Sequence, residues 1–268
     1  IDIKCAAPAD IRFVDNTASN GYMSSLAIGS NGLPIVAYAD SSGTATEIKV
    51  ATCLALDCSS SAVTATIADP DGHEVDRPYL AIGRDDLPIF SYRDQTDGNL
   101  KVAHCTDADC SAGATVTTAN ASPNHLGGTS SIAIGPDGLP FISYYDLSAQ
   151  GVKVAHCSDV ACSGVSTNGL VESGNIGWGT SIAIGLGGLP TITYHDTVYG
   201  GLKVATCTNA SCLETPPTTG GPAMIATVDR VGSHSSIAIG SDGLPVISYY
   251  DETEMALKVV KCGTRTCL

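Results

Sequence analysis

One phrase recurs five times along the chain and constrains its fold more than any other feature. It reads SLAIGSNGLPIVAYAD, YLAIGRDDLPIFSYRD, SIAIGPDGLPFISYYD, SIAIGLGGLPTITYHD and SIAIGSDGLPVISYYD. Its alanine falls at Ala27, Ala81, Ala133, Ala183 and Ala238, giving spacings of 54, 52, 50 and 55 residues. After each phrase come a short polar loop, a K-V-x-x-C segment such as LKVAHC, and a variable stretch with its own β-like run such as AVTATIAD. A repeat of this period is one supersecondary unit that buries its apolar faces only by stacking on its neighbours.

Each unit reads as four short strands. Strand A is the xxAIG segment and strand B the LPxxxYxD segment, joined by a tight turn such as Asp137-Gly138 or Asp242-Gly243. Strand C is xKVxxC, and strand D follows the second cysteine. Strands A and B are apolar on both faces, which suits sheets sandwiched between other sheets. The expected fold is therefore an all-β, five-bladed β-propeller with four antiparallel strands per blade. The blades span about 24–69, 79–120, 130–172, 180–229 and 235–268 of a single domain, 1–268. The last unit has no strand D of its own, and residues 10–16 supply one. Asp15 lies 12 residues before Ala27, as Asp69 lies 12 before Ala81. The N-terminal strand is thus expected to close the last blade and remove its exposed edge.

Ten of the eleven cysteines form five C-x4-C pairs: Cys53/Cys58, Cys105/Cys110, Cys157/Cys162, Cys207/Cys212 and Cys262/Cys267. A zinc site needs four ligands and each blade offers two cysteines, so disulfides are expected, and with them a secreted or cell-surface protein. Cys5 aligns with the second cysteine of the closing blade. Either Cys5 or Cys267 joins Cys262, leaving the other unpaired or intermolecular. The balance of 13 Lys+Arg against 27 Asp+Glu excludes a basic footprint for nucleic acid, and no apolar run is long enough for membrane insertion.

Every strand B ends in an aspartate: Asp40, Asp94, Asp146, Asp196 and Asp251. Strand C then offers Lys49, Lys101, Lys153, Lys203 and Lys258. In a hairpin these meet across the ladder, so an ion pair fixing the B–C turn is preferred to a ring of free acids. A tyrosine two residues before each aspartate suits packing between blades. The residue between them varies (Ala39, Arg93, Tyr145, His195, Tyr250), and variable positions beside loops on a rigid scaffold suit ligand binding. The expected ligand-binding residues are Arg93, Tyr145, His195 and Tyr250 from this slot, with Tyr22 and Trp178 from the D–A connections. Trp178 is the only tryptophan, and serves either as a stacking platform or as a cap on the core. Asp69, Asp71 and Asp76 space carboxylates like a partial calcium loop, so calcium is the one cofactor the pattern admits, and a solvated acidic turn is its alternative.

The phrase SIAIGSDGLPVISYYD followed by LKVAHC resembles tandem repeats of secreted or surface-exposed bacterial proteins without an assigned activity. Five-bladed relatives by architecture include lectins and furanose- or arabinose-acting glycosidases, which sets expectations of function without transferring one. The expected role is a non-catalytic extracellular binding module for carbohydrate or another polar surface ligand, carried by loops on one face. The alternatives are a self-assembling structural subunit of a cell surface, matrix or filament, and a glycosidase-like enzyme. The repeated carboxylates are equivalent, whereas a glycosidase needs two in unlike environments.

Overall fold

The computed structural model describes residues 14–15, 20–41, 46–60, 63–67, 72–120, 126–174, 176–198, 200–212, 223–226 and 231–267. Blade 1 consists of β1 (Asn20–Ile28), β2 (Pro34–Asp40), β3 (Glu47–Thr52) and β4 (Val63–Ile67). Blade 2 consists of β5 (Val75–Ile82), β6 (Pro88–Asp94), β7 (Leu100–Cys105) and β8 (Ala114–Asn120). Blade 3 consists of β9 (Leu126–Ile134), β10 (Pro140–Asp146), β11 (Gly151–Cys157) and β12 (Val165–Ser173). Blade 4 consists of β13 (Ile176–Ile184), β14 (Pro190–Asp196), β15 (Gly201–Thr206) and β16 (Ala223–Ala226). Blade 5 has three strands among the described residues: β17 (Val231–Ile239), β18 (Pro245–Asp251) and β19 (Ala256–Lys261). Each sheet is an antiparallel meander in chain order, and the five together make a five-bladed β-propeller.

The repeated phrase accounts for the local geometry. The proline of each Leu-Pro opens strand B, the strand position that tolerates a missing N–H, and its carbonyl is still used. The Cys53, Cys207 and Cys262 amides donate to Pro34, Pro190 and Pro245 at 2.9–3.0 Å. In the A–B turns the Gly amide donates to the Leu carbonyl four residues on, as in Gly135 to Leu139 at 2.8 Å. The turn then needs a left-handed residue, supplied by Gly32, Gly138, Gly188 and Gly243 at φ 76° to 83° and by Asp86 at 65°.

Apolar side chains on both faces of the central strands fill the seams between blades. Four buried clusters occupy the seams from blade 1/2 to blade 4/5. In each, strand C of one blade packs on strand A of the next, as Val152 and Val154 pack with Ile182. Seam hydrogen bonds run from the Leu80, Ile182 and Ile237 amides to Ser25, Ser131 and Ser181 Oγ of the preceding blade at 2.9–3.3 Å.

All five C-x4-C pairs are disulfides, each within its own blade at the end of strand C. They join Cys53 to Cys58, Cys105 to Cys110, Cys157 to Cys162, Cys207 to Cys212 and Cys262 to Cys267, with Cα–Cα distances of 4.8–5.0 Å. One feature of these staples was not expected from the spacing. The second cysteine of every pair has a left-handed backbone: Cys58 (φ 52°), Cys110 (58°), Cys162 (55°), Cys212 (46°) and Cys267 (58°). Its amide donates to the carbonyl three residues before it, from Cys58 to Ala55 at 3.0 Å through Cys267 to Thr264 at 3.3 Å. The sulfur bridge and this turn bond together hold a conformation that a non-glycine residue otherwise disfavours. Of the two candidates for Cys262, Cys267 is thus the partner, and Cys5 lies outside the described residues. Of the N-terminal strand expected at 10–16, only Val14 and Asp15 are described.

Candidate functional site

The B–C loops and D–A connections share one face of the propeller. The Gln95 amide donates to the Glu74 carbonyl at 2.8 Å and Gly174 to Gln150 at 3.0 Å, tying a loop of one kind to a connection of the other. At this face strand B puts its tyrosine opposite the lysine of strand C, as Tyr144 faces Lys153, which places the aspartate two residues on at a diagonal to that lysine. The resulting ion pairs measure 2.6 Å (Lys49–Asp40), 3.0 Å (Lys101–Asp94) and 2.7 Å for Lys153–Asp146, Lys203–Asp196 and Lys258–Asp251. In most blades the second aspartate oxygen accepts backbone N–H groups of the loop, as Asp146 Oδ1 does from Ser148 and Ala149. Burial pushes the Asp146 carboxyl up, but Lys153 and these amides outweigh it and hold it below its usual range. These acids are turn anchors engaged by their lysines, and in blades 2, 3 and 5 the carboxyl is held below its usual range.

A further acid or amide enters each of three corners from a neighbouring strand D or its equivalent. Glu172, on β12, accepts from Tyr194 Oη at 2.6 Å and from Lys203 Nζ at 2.7 Å. Asn120, on β8, donates to Tyr144 Oη at 2.8 Å. Asp15 does the same for blade 1, accepting from Tyr38 Oη at 2.9 Å and standing 3.7 Å from Lys49. Burial raises the Tyr194 phenol far above its ordinary value and the Glu172 charge raises it further, so it serves only as a neutral donor.

Blade 2 adds a histidine at its corner. His73 Nδ1 lies 2.9 Å from Asp94 Oδ2 and 3.6 Å from Asp97 Oδ2. Among the described residues this is the group whose donors converge closely enough for a metal. However, Asp94 already engages Lys101, His73 and the amides of Thr96 and Asp97, so its oxygens are committed. Its hydrogen bond to Asp94 raises the His73 pKa. Of the carboxylates expected to suit calcium, Asp69, Asp71 and the side chain of Asp76 lie outside the described residues.

The six expected binding residues are spread around the ring, and three of them come together. Trp178 on β13 pairs in register with His195 on β14, and its ring centroid lies 5.5 Å from that of Tyr145 in the preceding blade. Tyr145 is fully buried, whereas Trp178 remains 45% exposed. Trp178 therefore both caps the seam and offers an open edge. Burial lowers the His195 pKa, so its imidazole is neutral near neutrality. Arg93 pairs with Asp76 and Leu100 in the backbone ladder, and Tyr250 with Ser233 and Leu257. Tyr22 lies opposite Ala39, and its side chain is outside the described residues.

A second feature was not expected. Strands A carry a bulge ahead of the repeat alanine, and in four blades the residue four before it has a left-handed backbone: Met23 (φ 51°), Arg77 (53°), Gly179 (70°) and His234 (60°). Three blades thus keep a full side chain where glycine sits without strain. Those three residues meet in one cavity of about 230 Å³, lined by Met23, Ser24, Arg77, Pro78, Tyr79 and His234. Its walls are the innermost strands β1, β5 and β17. Arg77 and His234 both lie in the variable stretch ahead of the repeated phrase, and nothing in either stretch alone marks their convergence. The signal was their shared offset from the repeat alanine.

No known family model and no curated protein sequence matches the chain. Solved structures do. An unknown-function protein from Dyadobacter fermentans superposes with a TM-score of 0.63 at 12% identity, covering 91% of this chain and 79% of its own. An α-L-arabinanase from Penicillium chrysogenum complexed with arabinobiose gives 0.58 at 15%, covering 90% and 76%. An α-L-arabinofuranosidase from Lactobacillus brevis gives 0.54 at 11%, covering 90% of each chain. At such identities the likeness is one of fold: the chain shares the five-bladed propeller with these proteins.

Proposed function

We propose that this protein is a non-catalytic binding module of an oxidising, extracellular space, taking a carbohydrate or another polar surface ligand on the face of the B–C and D–A loops. One observation carries the reading. Each of the five repeated carboxylates, the groups a hydrolase would need free, lies within 3.0 Å of its own blade's lysine. The same face presents the open edge of Trp178 beside His195, and the axial cavity with Arg77, Tyr79 and His234. An aromatic edge beside fixed polar groups suits sugar rings, which stack on one face and hydrogen-bond at the rim. Five disulfides in so small a protein support the extracellular setting.

A glycosidase-like enzyme is the second reading, and the fold shared with an arabinanase and an arabinofuranosidase favours it. A glycan array run beside a reducing-sugar assay on arabinan and galactan separates the two. Array binding without turnover, weakened about tenfold by Trp178→Ala (about 1.4 kcal/mol), is expected. Released reducing ends would replace the binding module with the enzyme, and silence in both assays would overturn both.

A further inference from the structure

The axial cavity breaks the symmetry of the repeat. Four blades place a pair of hydroxyl residues three and two positions before the repeat alanine: Ser24-Ser25, Ser130-Ser131, Thr180-Ser181 and Ser235-Ser236. Blade 2 has Pro78-Tyr79 there, preceded by Arg77, and all three of these residues line the cavity of about 230 Å³. Met23 of blade 1 and His234 of blade 5 reach the same space. The matching residues of blades 3 and 4 are joined to each other instead, the Gly179 amide donating to Thr129 Oγ1 at 3.1 Å. Near-identical repeats thus give the axis an unequal wall, with an arginine, a tyrosine and a histidine gathered from blades 2 and 5.

Arg77 is held in this wall against two local preferences. Its φ of 53° is left-handed, and a residue before proline ordinarily keeps an extended φ of about −120°. Glycine meets no such penalty, and blade 4 has Gly179 at the matching position. Backbone strain of this kind persists only where the surrounding structure over-determines it, and it gathers at ligand clamps.

We propose that the axial cavity takes the end residue of an acidic glycan, a terminal uronic acid. This names the ligand class of the binding reading above, and rests on it. Arg77 supplies the charge, because a guanidinium presents a planar fork of N–H donors that matches a carboxylate. None of the six lining residues is an acid, although the chain carries 27 Asp+Glu against 13 Lys+Arg. Tyr79, beside Met23 and Pro78, supplies the apolar wall on which a sugar ring packs. His234 and Ser24 offer hydrogen bonds to its hydroxyls. The volume lies below the roughly 300–1,000 Å³ of sites for drug-sized ligands, so one ring enters and a chain does not.

Titration calorimetry on the full chain tests this with two matched pairs of probes: methyl glucuronide with methyl glucoside, and methyl galacturonide with methyl galactoside. Each pair differs only in a carboxylate against a hydroxymethyl group. In at least one pair the uronide should bind at least about tenfold tighter, the effect of one charge-assisted bond. Arg77→Gly relieves the left-handed strain and copies blade 4. It should erase the preference while leaving the melting temperature unchanged or higher. Arg77→Gln should erase it as well, and keeps the test intact if glycine loosens the bulge. No binding of any probe, equal affinity within both pairs, or a preference that survives both substitutions would overturn the proposal. Galactose 6-sulfate binding tighter than the galacturonide would overturn it too, in favour of a sulfate ester. Neutral glycans held through Trp178 without a uronide preference would remove this inference and leave the binding module standing, whereas a silent glycan array would remove both.

Discussion

Seam 3/4 and seam 5/1 are made of the same parts. Each has a leucine- or valine-bearing strand C, an isoleucine- or leucine-bearing strand A, and an acid held by a Tyr–Lys pair, Glu172 in one and Asp15 in the other. Seam 3/4 buries these parts, while seam 5/1 leaves Leu26, Leu257 and Val259 in water. The difference lies in connectivity. Blades 3 and 4 are joined by the short run from β12 to β13, which holds the faces together before any side chain packs. Blades 5 and 1 lie at opposite ends of the chain, so their closure must offset the entropy of a loop nearly as long as the protein. A ring of near-identical repeats is thus uniform in chemistry and non-uniform in the entropy that closing each seam must offset.

The largest effect should come from the apolar contacts. Leu202→Ala, in filled seam 4/5, removes a fully buried side chain and should cost about 2–5 kcal/mol by denaturant titration. Leu257→Ala at the matching site of seam 5/1 measures how far that seam closes. With the N-terminal segment docked it should cost more than about 1 kcal/mol, and after removal of residues 1–14 less than about 0.5 kcal/mol, the range of an exposed site. Equal small losses in both chains would leave the two seams as different in solution as they are here.

The latches come next. Glu172→Ala strips the acceptor from the buried Tyr194 phenol and one of two carboxylates from Lys203, and should cost about 1.5–3 kcal/mol. Asp15→Ala removes the Tyr38 acceptor but leaves Lys49 its 2.6 Å contact with Asp40, so about 1 kcal/mol is expected. Thermal melts of the two variants beside the parent check the order. A larger loss at Asp15 would mean that the latch carries more of seam 5/1 than Glu172 carries of seam 3/4.

Features specified within one repeat were mostly legible in the sequence, and those specified between repeats were not. The strands, the turn glycines, the C-x4-C disulfides and the Asp–Lys pairs all follow from residues less than ten apart, where strand pleat and turn geometry fix which side chains meet. The left-handed backbone at Cys58, Cys110, Cys162 and Cys212 is the local exception, because the pairing was visible in the spacing but the turn that delivers it was not. The axial cavity depends instead on Met23, Arg77 and His234, whose meeting is set by the rotation from blade to blade. Their bulge gives no composition signal either, since Met, Arg and His there occupy a backbone region that sequence patterns assign to glycine or asparagine. Trp178 lies between these cases. Its position beside His195 follows from register, but its contact with Tyr145 crosses a seam, which is why one tryptophan can cap the core and still face solvent.

Turn glycines give a smaller contrast. Gly188 and Gly32 both have left-handed φ, so alanine at either should cost roughly 1 kcal/mol in backbone strain. At Gly188 the new Cβ would also come within 2.5 Å of Pro136 Cγ, in a ring that cannot rotate away, adding about 1–3 kcal/mol of overpacking. Gly32 meets nothing within 4 Å. Gly188→Ala should therefore lower the denaturation midpoint more than Gly32→Ala. If the two fall together, Ser241 of blade 5 lies over Gly32 in solution as Pro136 lies over Gly188, and seam 5/1 is shut at this end too.

The smallest effect distinguishes seam 1/2, whose connection carries a titrating base, from seam 5/1, whose latch is a carboxylate. His73 enters from the connection between blades 1 and 2 and holds Asp94 of blade 2, with Asp97 and Lys101 beside it. Its hydrogen bond to Asp94 raises its pKa above the ordinary 6.5, so the imidazolium is favoured in the folded state. The stabilisation is complete below pH 6.5 and disappears as pH rises through the raised value. The Asp94 carboxyl runs the other way. Burial raises its pKa, but bonds from His73, the Asp97 amide and Lys101 prevail and lower it, so its contribution is complete above about 3.8 and fades as pH falls through the lowered value. Denaturation midpoints measured across pH for the parent and His73→Gln should therefore differ most between about pH 4 and 6.5 and converge above. A gap that persists unchanged at about pH 9 would mean that His73 acts through packing, and the charge in seam 1/2 would no longer set it apart from the seam that Asp15 latches.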